Sequence, residues 1–316
     1  MGGSVPDTDA GAAEAARRPA RPPVKIVIPA HDEAAVVGRC LSALLESAGP
    51  AEFDVVVVSN GSTDDTSAQA RAAGVRLDRP ITAIDIPTAS KIAALRAAEE
   101  ILADFPNAIR IYLDADVILT TDAARALADA LQTGEPRLAL ARLEIDTADS
   151  SSVVKRYYRA WTALPYVQRQ VAGSGVLAMN GAGAARVGPL PEVINDDGYI
   201  ARRFDADQRI FVDASFLAFA AHSASALIRR RARIVNGNRQ LDALVPGVPA
   251  APGSANTSGN SFGQLRSAVR DGSVDAGSAL VFVAVTIAAR VLASWRRLTG
   301  SAARWSSDRT TRQSPS

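Results

Sequence analysis

Four apolar stretches of strand length alternate with stretches of helical spacing in the first part of this chain, and short polar links join them. The strand segments are Val24 to Pro29, Phe53 to Val58, Ile81 to Ile86 and Ile109 to Leu113; the helical segments are Glu33 to Ser47, Ser62 or Thr63 to Gly74, and Ser90 to Ala103. Parallel strands require long crossover connections, and the crossover helices cover both faces of their sheet. The alternation therefore predicts an α/β fold with a mostly parallel sheet flanked by helices.

Length and composition support a large packed body. The chain has 316 residues, of which 47% are hydrophobic, enough for one large or two small domains. Its formal net charge of +2 predicts no general attraction to nucleic acid. The single cysteine, Cys40, lies among helically spaced apolar residues, so we expect it to be buried, and a disulfide within the chain is excluded.

Polar clusters follow three of the four predicted strands. They are His31-Asp32-Glu33, Ser59-Asn60-Gly61 and Asp114-Ala115-Asp116. In parallel sheets, ligands bind outside the carboxyl ends of the strands, where these clusters would meet. Each cluster alone could be ordinary turn chemistry, but three clusters at one edge indicate a binding site.

Asp114 and Asp116 are separated by one small residue. In an extended backbone alternate side chains point to the same side, so the two carboxylates are expected to share one small volume. Their repulsion is relieved by a cation, and hard oxygen ligands suit Mg²⁺ or Mn²⁺ carrying a substrate diphosphate. The alternative interpretation is a solvated turn.

Three features of the second half have competing structural and functional interpretations. The aromatic segment from Ser151 to Val167, with Tyr157, Tyr158, Trp161 and Tyr166, is predicted to be core rather than an acceptor site. The Gly181-Ala182-Gly183 segment lacks the third glycine of a dinucleotide fingerprint, so no dinucleotide site is predicted. The cluster Arg229, Arg230, Arg231 and Arg233 is either a solvated face or faces phosphate.

The C-terminal part begins with residues 241–263, whose prolines, glycines and serines predict a flexible linker. The segment from Ala276 to Ala289 is continuously apolar or small, and Trp295-Arg296-Arg297 follows it. This apolar run is too short to cross a bilayer comfortably. We therefore expect a helix in peripheral contact with a membrane or one docked on its own domain.

Several motifs make the chain between Val24 and Leu241 resemble the family-2 glycosyltransferases of the GT-A fold. They are Ile28-Pro29-Ala30-His31-Asp32-Glu33, Val58-Ser59-Asn60-Gly61-Ser62-Thr63-Asp64-Asp65-Thr66, Ser90-Lys91-Ile92-Ala93-Ala94-Leu95 and Asp114-Ala115-Asp116. Ser59 and Asn60 replace the family's two aspartates, and Ser90 replaces a glycine. The resemblance implies that Asp114 and Asp116 bind the metal and that the nucleotide is contacted by Pro29, Ala30, Glu33, Asn60, Lys91 and Asp114.

A further motif completes this resemblance. Asp196-Asp197-Gly198-Tyr199-Ile200-Ala201-Arg202-Arg203-Phe204 is similar to the family's Glu-Asp-x-x-Leu-x-x-Arg-Leu, which implies that Asp197 is the catalytic base and Asp196 its support. The Gln-x-x-Arg-Trp of processive members is missing, so the chain resembles the non-processive bacterial type. Arg230 and Arg233 stand in about the place of that motif, and we expect them to be cations on the nucleotide side. His222 is a further candidate metal ligand, although a lone histidine in Ala-rich sequence is more often structural.

The expected organisation and partners follow. We expect a disordered tail over 1–23 and a GT-A domain over 24–240, with a nucleotide-binding half to 118 and an acceptor half from 119. The linker over 241–263 and a C-terminal apolar helix with a basic tail over 264–316 follow. The N-terminal residues show no signal peptide, so a cytoplasmic location, on the inner face of the plasma membrane, is expected. The expected donor is a UDP-sugar, and the acceptor is a saccharide or a lipid-linked molecule of cell-envelope polysaccharide synthesis.

The predicted reaction is an inverting, metal-dependent transfer of a sugar to an acceptor hydroxyl in a single displacement. One alternative is nucleotidyl transfer on a similar fold, but the acidic Ala30-His31-Asp32-Glu33 stands where a basic, glycine-rich loop would be needed. The other alternative is a non-catalytic, membrane-associated protein that binds nucleotide sugars. The presence of Asp114, Asp116 and Asp197 disfavours it.

Overall fold

The computed structural model describes residues 22–168, 175–244 and 258–299. Its strands are β1 (Val24–Ala30), β2 (Phe53–Asn60), β3 (Ile81–Ile86), β4 (Ile109–Leu113), β5 (Val117–Ile118), β6 (Leu138–Asp146), β7 (Val176–Met179) and β8 (Arg209–Phe219). Its helices are α1 (Val37–Leu45), α2 (Thr66–Leu77), α3 (Lys91–Ile101), α4 (Thr121–Asp129), α5 (Ser152–Thr162), α6 (Pro165–Gln168), α7 (Gly181–Val187), α8 (Asp196–Ala201), α9 (Ala224–Leu244), α10 (Ser258–Arg270) and α11 (Ala276–Leu298).

The strands form one sheet in the order β3-β2-β1-β4-β7-β6-β8-β5. The first four strands in this order are parallel, which confirms the repeated strand and helix alternation. β7 pairs antiparallel with both β4 and β6, while β6 and β8 pair in parallel. The predicted α/β fold is therefore confirmed, with a sheet that is parallel in its first half and mixed in its second.

Helices pack on both faces of the sheet and create two separate apolar cores. The β2 residues show the division, because Val55 and Val57 pack with α1, α2 and α4, whereas Val56 and Val58 pack with α3 and the segment around α8. Alternation of side chains along each strand sends successive residues to opposite faces. At about 25 cal/mol per Å² of buried apolar area, this two-sided burial is the main stabilising contribution.

β1 continues through Pro29, which sequence analysis took as its end. Pro29 pairs in register with Val58, and Ala30 pairs with Ser59. The pairing of β1 with β4 stops at Val27, so Pro29 has a strand neighbour on one side only. A proline lacks an N–H for the ladder and is tolerated where such pairing has ended.

The Gly-x-Gly segment is explained by packing. Asn180 caps α7 by accepting a hydrogen bond from the Gly183 amide at 2.8 Å. A Cβ on Gly181 would lie 2.2 Å from the Pro106 carbonyl oxygen, so only glycine fits this contact. The expectation that the segment is not a dinucleotide loop agrees with this arrangement.

The C-terminal helices form a third core with α5. Tyr157, Tyr158 and Trp161 are buried there, which confirms that the aromatic segment is core; the Tyr166 side chain lies outside the described residues. α9 passes through Gly237 without interruption and packs against α11. Of the predicted linker, residues up to 244 and from 258 are helical, and residues 245–257 lie outside the described ranges, as do residues 1–21 of the tail.

α11 is longer than its apolar run suggested, because the helix continues to Leu298. Among the described helices it is the one long and apolar enough to cross a membrane, judged by length and composition, with a mean hydropathy of 2.0 in its most apolar window. It packs against α5 and α9, so the structure shows the docked arrangement of the two that were expected, and the membrane contact stays a prediction.

Candidate active site

The loops after β1 and β2 are joined by hydrogen bonds at the carboxyl edge of the sheet. Asp32 accepts a hydrogen bond from the Thr63 amide at 2.7 Å, and its own amide donates to Ser62 Oγ at 3.1 Å. The Glu33 amide donates to Thr66 Oγ1 at 2.9 Å. These contacts bring the first two predicted clusters together and give Asp32 a structural role.

A pocket of about 370 Å³ opens where β2 and β3 end. It is lined by Ser59, Gly61, Ser62, Asp85, Ile86 and Pro87. Gly61 has φ +63°, and a Cβ there would lie 2.8 Å from the Ala89 amide nitrogen, so this turn requires glycine. Asp85 was not predicted as a site residue, although its position at the end of the third strand is the signal that identified the other clusters.

The predicted nucleotide-contacting residues of β1 and β2 are buried beside this edge. Pro29, Ala30 and Glu33 belong to or follow β1, and Asn60 ends β2 with 1% of its surface exposed. The Asn60 carbonyl contacts His31 Nδ1 at 2.7 Å. The side-chain Nδ2 of Asn60 is buried and has no hydrogen-bond partner in the part of the chain that the structure describes.

Asp114 and Asp116 lie in a turn and not in an extended segment, which corrects the geometric premise of sequence analysis. The Val117 amide donates to the Asp114 carbonyl at 3.2 Å, closing the turn. Both carboxylates still share one neighbourhood: after burial, they are the principal groups that raise the pKa of the Cys40 thiol. Cys40 is buried as predicted, and its Sγ lies 3.8 Å from the Asp114 carbonyl oxygen.

Gly175 links this turn to the second acidic pair. Its carbonyl accepts a hydrogen bond from the Asp114 amide at 2.8 Å, and its own amide donates to Asp197 Oδ2 at 3.3 Å. Its φ is +105°, and a Cβ would lie 3.1 Å from Asp114 Oδ2. A residue with a side chain would therefore be strained and would displace the Asp114 carboxylate.

The Lys91 ammonium lies among three carboxylates at the start of α3. Its Nζ is 2.7 Å from Asp114 Oδ1, 2.9 Å from Asp196 Oδ2 and 3.9 Å from Asp197 Oδ1. Burial alone would lower the pKa of Lys91, but the three carboxylates outweigh it and hold the pKa well above its usual range. Lys91 is therefore charged and draws the two acidic segments into one site.

Asp197 has a carboxyl group with a raised pKa. Burial raises its pKa to about 7, with repulsion from Asp196 and Asp114 adding to the rise; attraction to Lys91 opposes it. Asn195 caps α8 by accepting from the Gly198 amide at 2.8 Å, which fixes the helix start that carries both acids. A carboxylate that titrates near neutral pH is suited to accept a proton during a reaction.

The two arginines singled out from the cluster differ in their placement. Burial lowers the pKa of Arg233, while the carboxylates of Asp196 and Asp114 counteract this effect, so its guanidinium lies in the field of the acidic site. Arg230 Nη1 donates to the Phe219 carbonyl at 3.2 Å and is one of the charges acting on Arg233. The structure thus brings Arg233 of the arginine cluster near the acids, more than a hundred residues from Asp114 in sequence, whereas Arg231 lies over the Tyr157 ring.

His222 stays a predicted ligand. It is half-buried, and its carbonyl accepts a hydrogen bond from the Ser151 amide at 2.8 Å. Within residues 22–168, 175–244 and 258–299, no three His, Cys, Asp or Glu side chains are grouped so that they could hold a metal ion. Asp114 and Asp116 fit a divalent cation by the chemistry of their oxygens, but they would need further ligands from a substrate or water.

Helix α9 positions the segment that leads into Asp196, a role that sequence analysis missed. Gln240 accepts from the Ile194 amide at 2.9 Å and donates to the Glu192 carbonyl at 2.9 Å. Asn238, which is buried, accepts from Asn195 Nδ2 at 2.6 Å. The amide side chains near the end of the arginine helix were the available signal, but only the packing shows their target.

Comparisons with solved structures support the fold. The mannosyltransferase PcManGT from Pyrobaculum calidifontis, in complex with GDP-Man and Mn²⁺, is 20% identical, with a TM-score of 0.58 over 91% of this chain and 94% of that chain. The glucosyl-3-phosphoglycerate synthase from Mycobacterium tuberculosis, in complex with Mn²⁺, UDP and glucosyl-3-phosphoglycerate, is 21% identical, with a TM-score of 0.50 over 79% of this chain and 88% of that chain.

Sequence comparisons identify the family. No curated protein sequence matches the chain significantly. The family model described as Glycosyl transferase family 2 matches residues 25–211, which is more than half of the chain and includes β1 from Lys25 onward, β2 to β4 and both acidic pairs. This protein therefore belongs to glycosyl transferase family 2 and is a glycosyltransferase.

Proposed function

We propose that this enzyme transfers a sugar from a nucleotide-diphosphate sugar to an acceptor hydroxyl with inversion, in one metal-dependent displacement. The observation that carries this proposal is the contact of Lys91 with acids from two segments: Asp114, after β4, and Asp196 with Asp197, at the start of α8. A donor-side acid and a base-side acid thus face the same small volume. An in-line displacement needs such groups on opposite sides of the sugar.

Asp197 is the proposed base. In the reaction its carboxylate takes the proton of the acceptor hydroxyl, the hydroxyl oxygen bonds to the anomeric carbon, and the bond from that carbon to the diphosphate oxygen breaks. The raised pKa of about 7 supports this role, because a base poised near the working pH is most effective. Asp196, held by Lys91 at 2.9 Å, is its proposed support.

Asp114 and Asp116 are the proposed ligands of Mg²⁺ or Mn²⁺, and the substrate and water would supply the remaining ligands. The fit rests on the carboxylate oxygens and on the exposure of Asp114, whose side chain is 33% accessible and can meet an incoming diphosphate. When bound, the cation would stabilise charge on the departing diphosphate. Lys91, Arg230 and Arg233 would add fixed positive charge on the same side.

The nucleotide is proposed to bind at the carboxyl ends of β1 and β2 and at the start of α3. Its proposed contacts there are Pro29, Ala30, Glu33, Asn60 and Lys91. Among the described residues the buried Asn60 Nδ2 has no hydrogen-bond partner, and a nucleobase carbonyl would provide one. UDP is the proposed nucleotide, since uracil offers both carbonyl oxygens and an N–H to an amide side chain. The mannosyltransferase with GDP-Man makes GDP the necessary comparison in any binding test.

The proposed acceptor is a saccharide or a lipid-linked molecule, met on the cytoplasmic side of a cell membrane during cell-envelope polysaccharide synthesis. Support comes from the apolar C-terminal helix and from the near balance of charge, +2 overall, which offers no general attraction to nucleic acid. Screening a panel of saccharide and polyprenyl-linked acceptors against one active donor would identify the acceptor class.

The function is tested with Asp197→Asn, which keeps the size of the side chain and removes its basicity. We expect turnover to fall by about 10²- to 10⁴-fold while donor binding, measured by calorimetry with Mn²⁺, stays near the wild-type value. Asp114→Ala should weaken donor binding and turnover together. Near-normal turnover by Asp197→Asn would exclude Asp197 as the base.

The products separate this proposal from its alternatives. Sugar transfer releases a nucleoside diphosphate, whereas nucleotidyl transfer releases pyrophosphate. A non-catalytic binding protein would bind the donor and release neither. Chelation of divalent cations should abolish donor binding, and equal affinity with and without a chelator would remove the metal from the proposal.

A further inference from the structure

Helix α11 has two faces of opposite character. One face is buried against the domain and carries Ser278, Phe282, Val285, Ala289 and Ala293. The other carries large apolar side chains that are 52% to 85% exposed: Leu280, Ile287, Val291, Trp295 and Leu298. These residues recur at intervals of three, four or seven, so they form one continuous stripe along the outer side of the helix.

The inner face is firmly attached to the domain. Phe282 stacks on Tyr157 of α5 with ring centroids 5.3 Å apart. The N-terminus is capped by Asp275, which accepts from the Ser278 amide at 2.9 Å and pairs with Arg159 of α5 at 3.4 Å. A helix held in this way would have to abandon its own core to cross a bilayer, so a position in the membrane plane is favoured.

The charge of α11 has one sign only. Between Ala276 and Leu298 the helix contains no Asp or Glu, and its charged residues are Arg290, Arg296 and Arg297. Arg290 directly precedes Val291 of the stripe, and the other two arginines follow Trp295. Helix α10 contacts α11 and itself carries two arginines, Arg266 and Arg270, and the exposed Phe262. Apolar side chains bordered by arginines and a tryptophan complement an anionic lipid surface.

The same features disfavour a second copy of the chain as the occupant of the stripe. Helices that pair through an apolar stripe usually carry opposite charges along its borders. The borders here include Val283 and Ala288, and α11 has no acid that could pair with the arginines of a second copy.

We propose that the outer stripe of α11 docks this protein on an anionic membrane surface, with the helix lying in the membrane plane. Apolar side chains of the stripe enter the region between head groups and acyl chains, and Arg290 and Arg297 contact anionic head groups. The inner face remains packed on α5 and α9. This inference rests on α10 and α11 and does not depend on the proposed sugar transfer.

The test is flotation of the full-length protein with phosphatidylcholine vesicles, with and without phosphatidylglycerol. We expect the wild type to bind only the anionic vesicles. The double variant Ile287→Glu with Val291→Glu should lose at least about tenfold in vesicle affinity. Arg290→Gln and Arg297→Gln should each lose about fivefold in vesicle affinity. Val75→Glu is the matched control, because Val75 is 84% exposed on α2, away from this stripe. Its binding should equal that of the wild type.

Other outcomes would overturn the proposal. Binding that is unchanged in the stripe variants, or equal on neutral vesicles, excludes the stripe or the arginines. Protein that resists alkaline carbonate extraction would indicate a spanning helix, and a wild-type dimer that Ile287→Glu dissociates would indicate a second copy. Thermal unfolding and nucleotide binding, measured on the same variants, distinguish loss of docking from misfolding and from failure of the proposed catalytic function.

Discussion

The Nζ atom of Lys91 lies 2.7 Å from Oδ1 of Asp114, the first acid of the proposed metal pair. The same ammonium lies 2.9 Å from Asp196, more than eighty residues further along the chain. One buried cation therefore compensates acids that belong to different parts of the proposed mechanism. A divalent ion bound to Asp114 must share that carboxylate with Lys91.

This arrangement predicts the effect of Lys91→Met. Without the ammonium, a divalent cation meets less repulsion, which near a protein surface amounts to several kcal/mol for charges about 4 Å apart. We expect Mn²⁺ affinity in the absence of nucleotide to rise at least about tenfold and turnover to fall. Calorimetric titration with Mn²⁺ measures this, with Lys155→Met, an exposed lysine on α5, as the control. Unchanged or weaker Mn²⁺ binding would contradict the shared role of Asp114.

The pH dependence of turnover follows from Asp197. Its pKa is raised to about 7, chiefly by burial, so the group is protonated and inactive as a base at lower pH. We expect kcat/KM to rise with pH and to level off above an apparent pKa of about 7 or lower, because a cation on Asp114 removes part of the repulsion that raises the pKa. The profile is measured over about three pH units on either side of neutrality. A flat acidic limb in the wild type would argue against Asp197.

Gly175→Ala tests the link between the two acidic segments. The new Cβ would lie 2.9 Å from Val117 Cγ2 and 3.1 Å from Asp114 Oδ2, at a residue with φ +105°. We expect a loss of about 1–3 kcal/mol in unfolding free energy and a loss of activity of about a hundredfold, since misplacing a reacting group by about 1 Å has effects of that size.

Gly188→Ala is the control for backbone strain. Gly188 has φ +65°, but apart from its chain neighbours no described residue lies within 4 Å of the position of its added Cβ. Its variant should lose stability and retain activity. Stability is measured by chemical denaturation and activity as turnover. Equal losses of activity in Gly175→Ala and Gly188→Ala would show that general destabilisation, and not displacement of Asp114, lowers the activity.

Gln240→Ala tests the support of the base-carrying segment by α9. It removes the hydrogen bonds to the Ile194 amide and the Glu192 carbonyl, each 2.9 Å long. We expect a loss of about 1–3 kcal/mol in stability and a lower kcat with an unchanged KM for the donor, because the lost hydrogen bonds hold the base-carrying segment and not the proposed donor contacts. Gln132→Ala, which removes a 3.2 Å bond to Ala128, is the comparison. A raised donor KM with a normal kcat would argue against this assignment.

Much of the first half was predictable because its signals are local. Ile81–Ile86 and Ile109–Leu113 form strands over the predicted residues, and Ser90 caps α3 by accepting from the Ala93 amide at 3.2 Å. Apolar runs and cap residues act within a few positions of the chain, so their pattern survives folding. The turn at Asp114 was not predicted, because an Asp-x-Asp segment is compatible with both extended and turn backbones.

By itself the sequence determined the order of strands and helices, the carboxyl edge where polar clusters meet, and the identity of the acids placed there. Only the tertiary structure decided that Lys91 contacts Asp114 and Asp196 together, that Gly175 joins Asp114 to Asp197, and that α11 has a buried and an exposed face. The reason is physical: contacts between distant segments depend on how elements pack, and hydrophobic periodicity fixes which face of an element is apolar without fixing its neighbour.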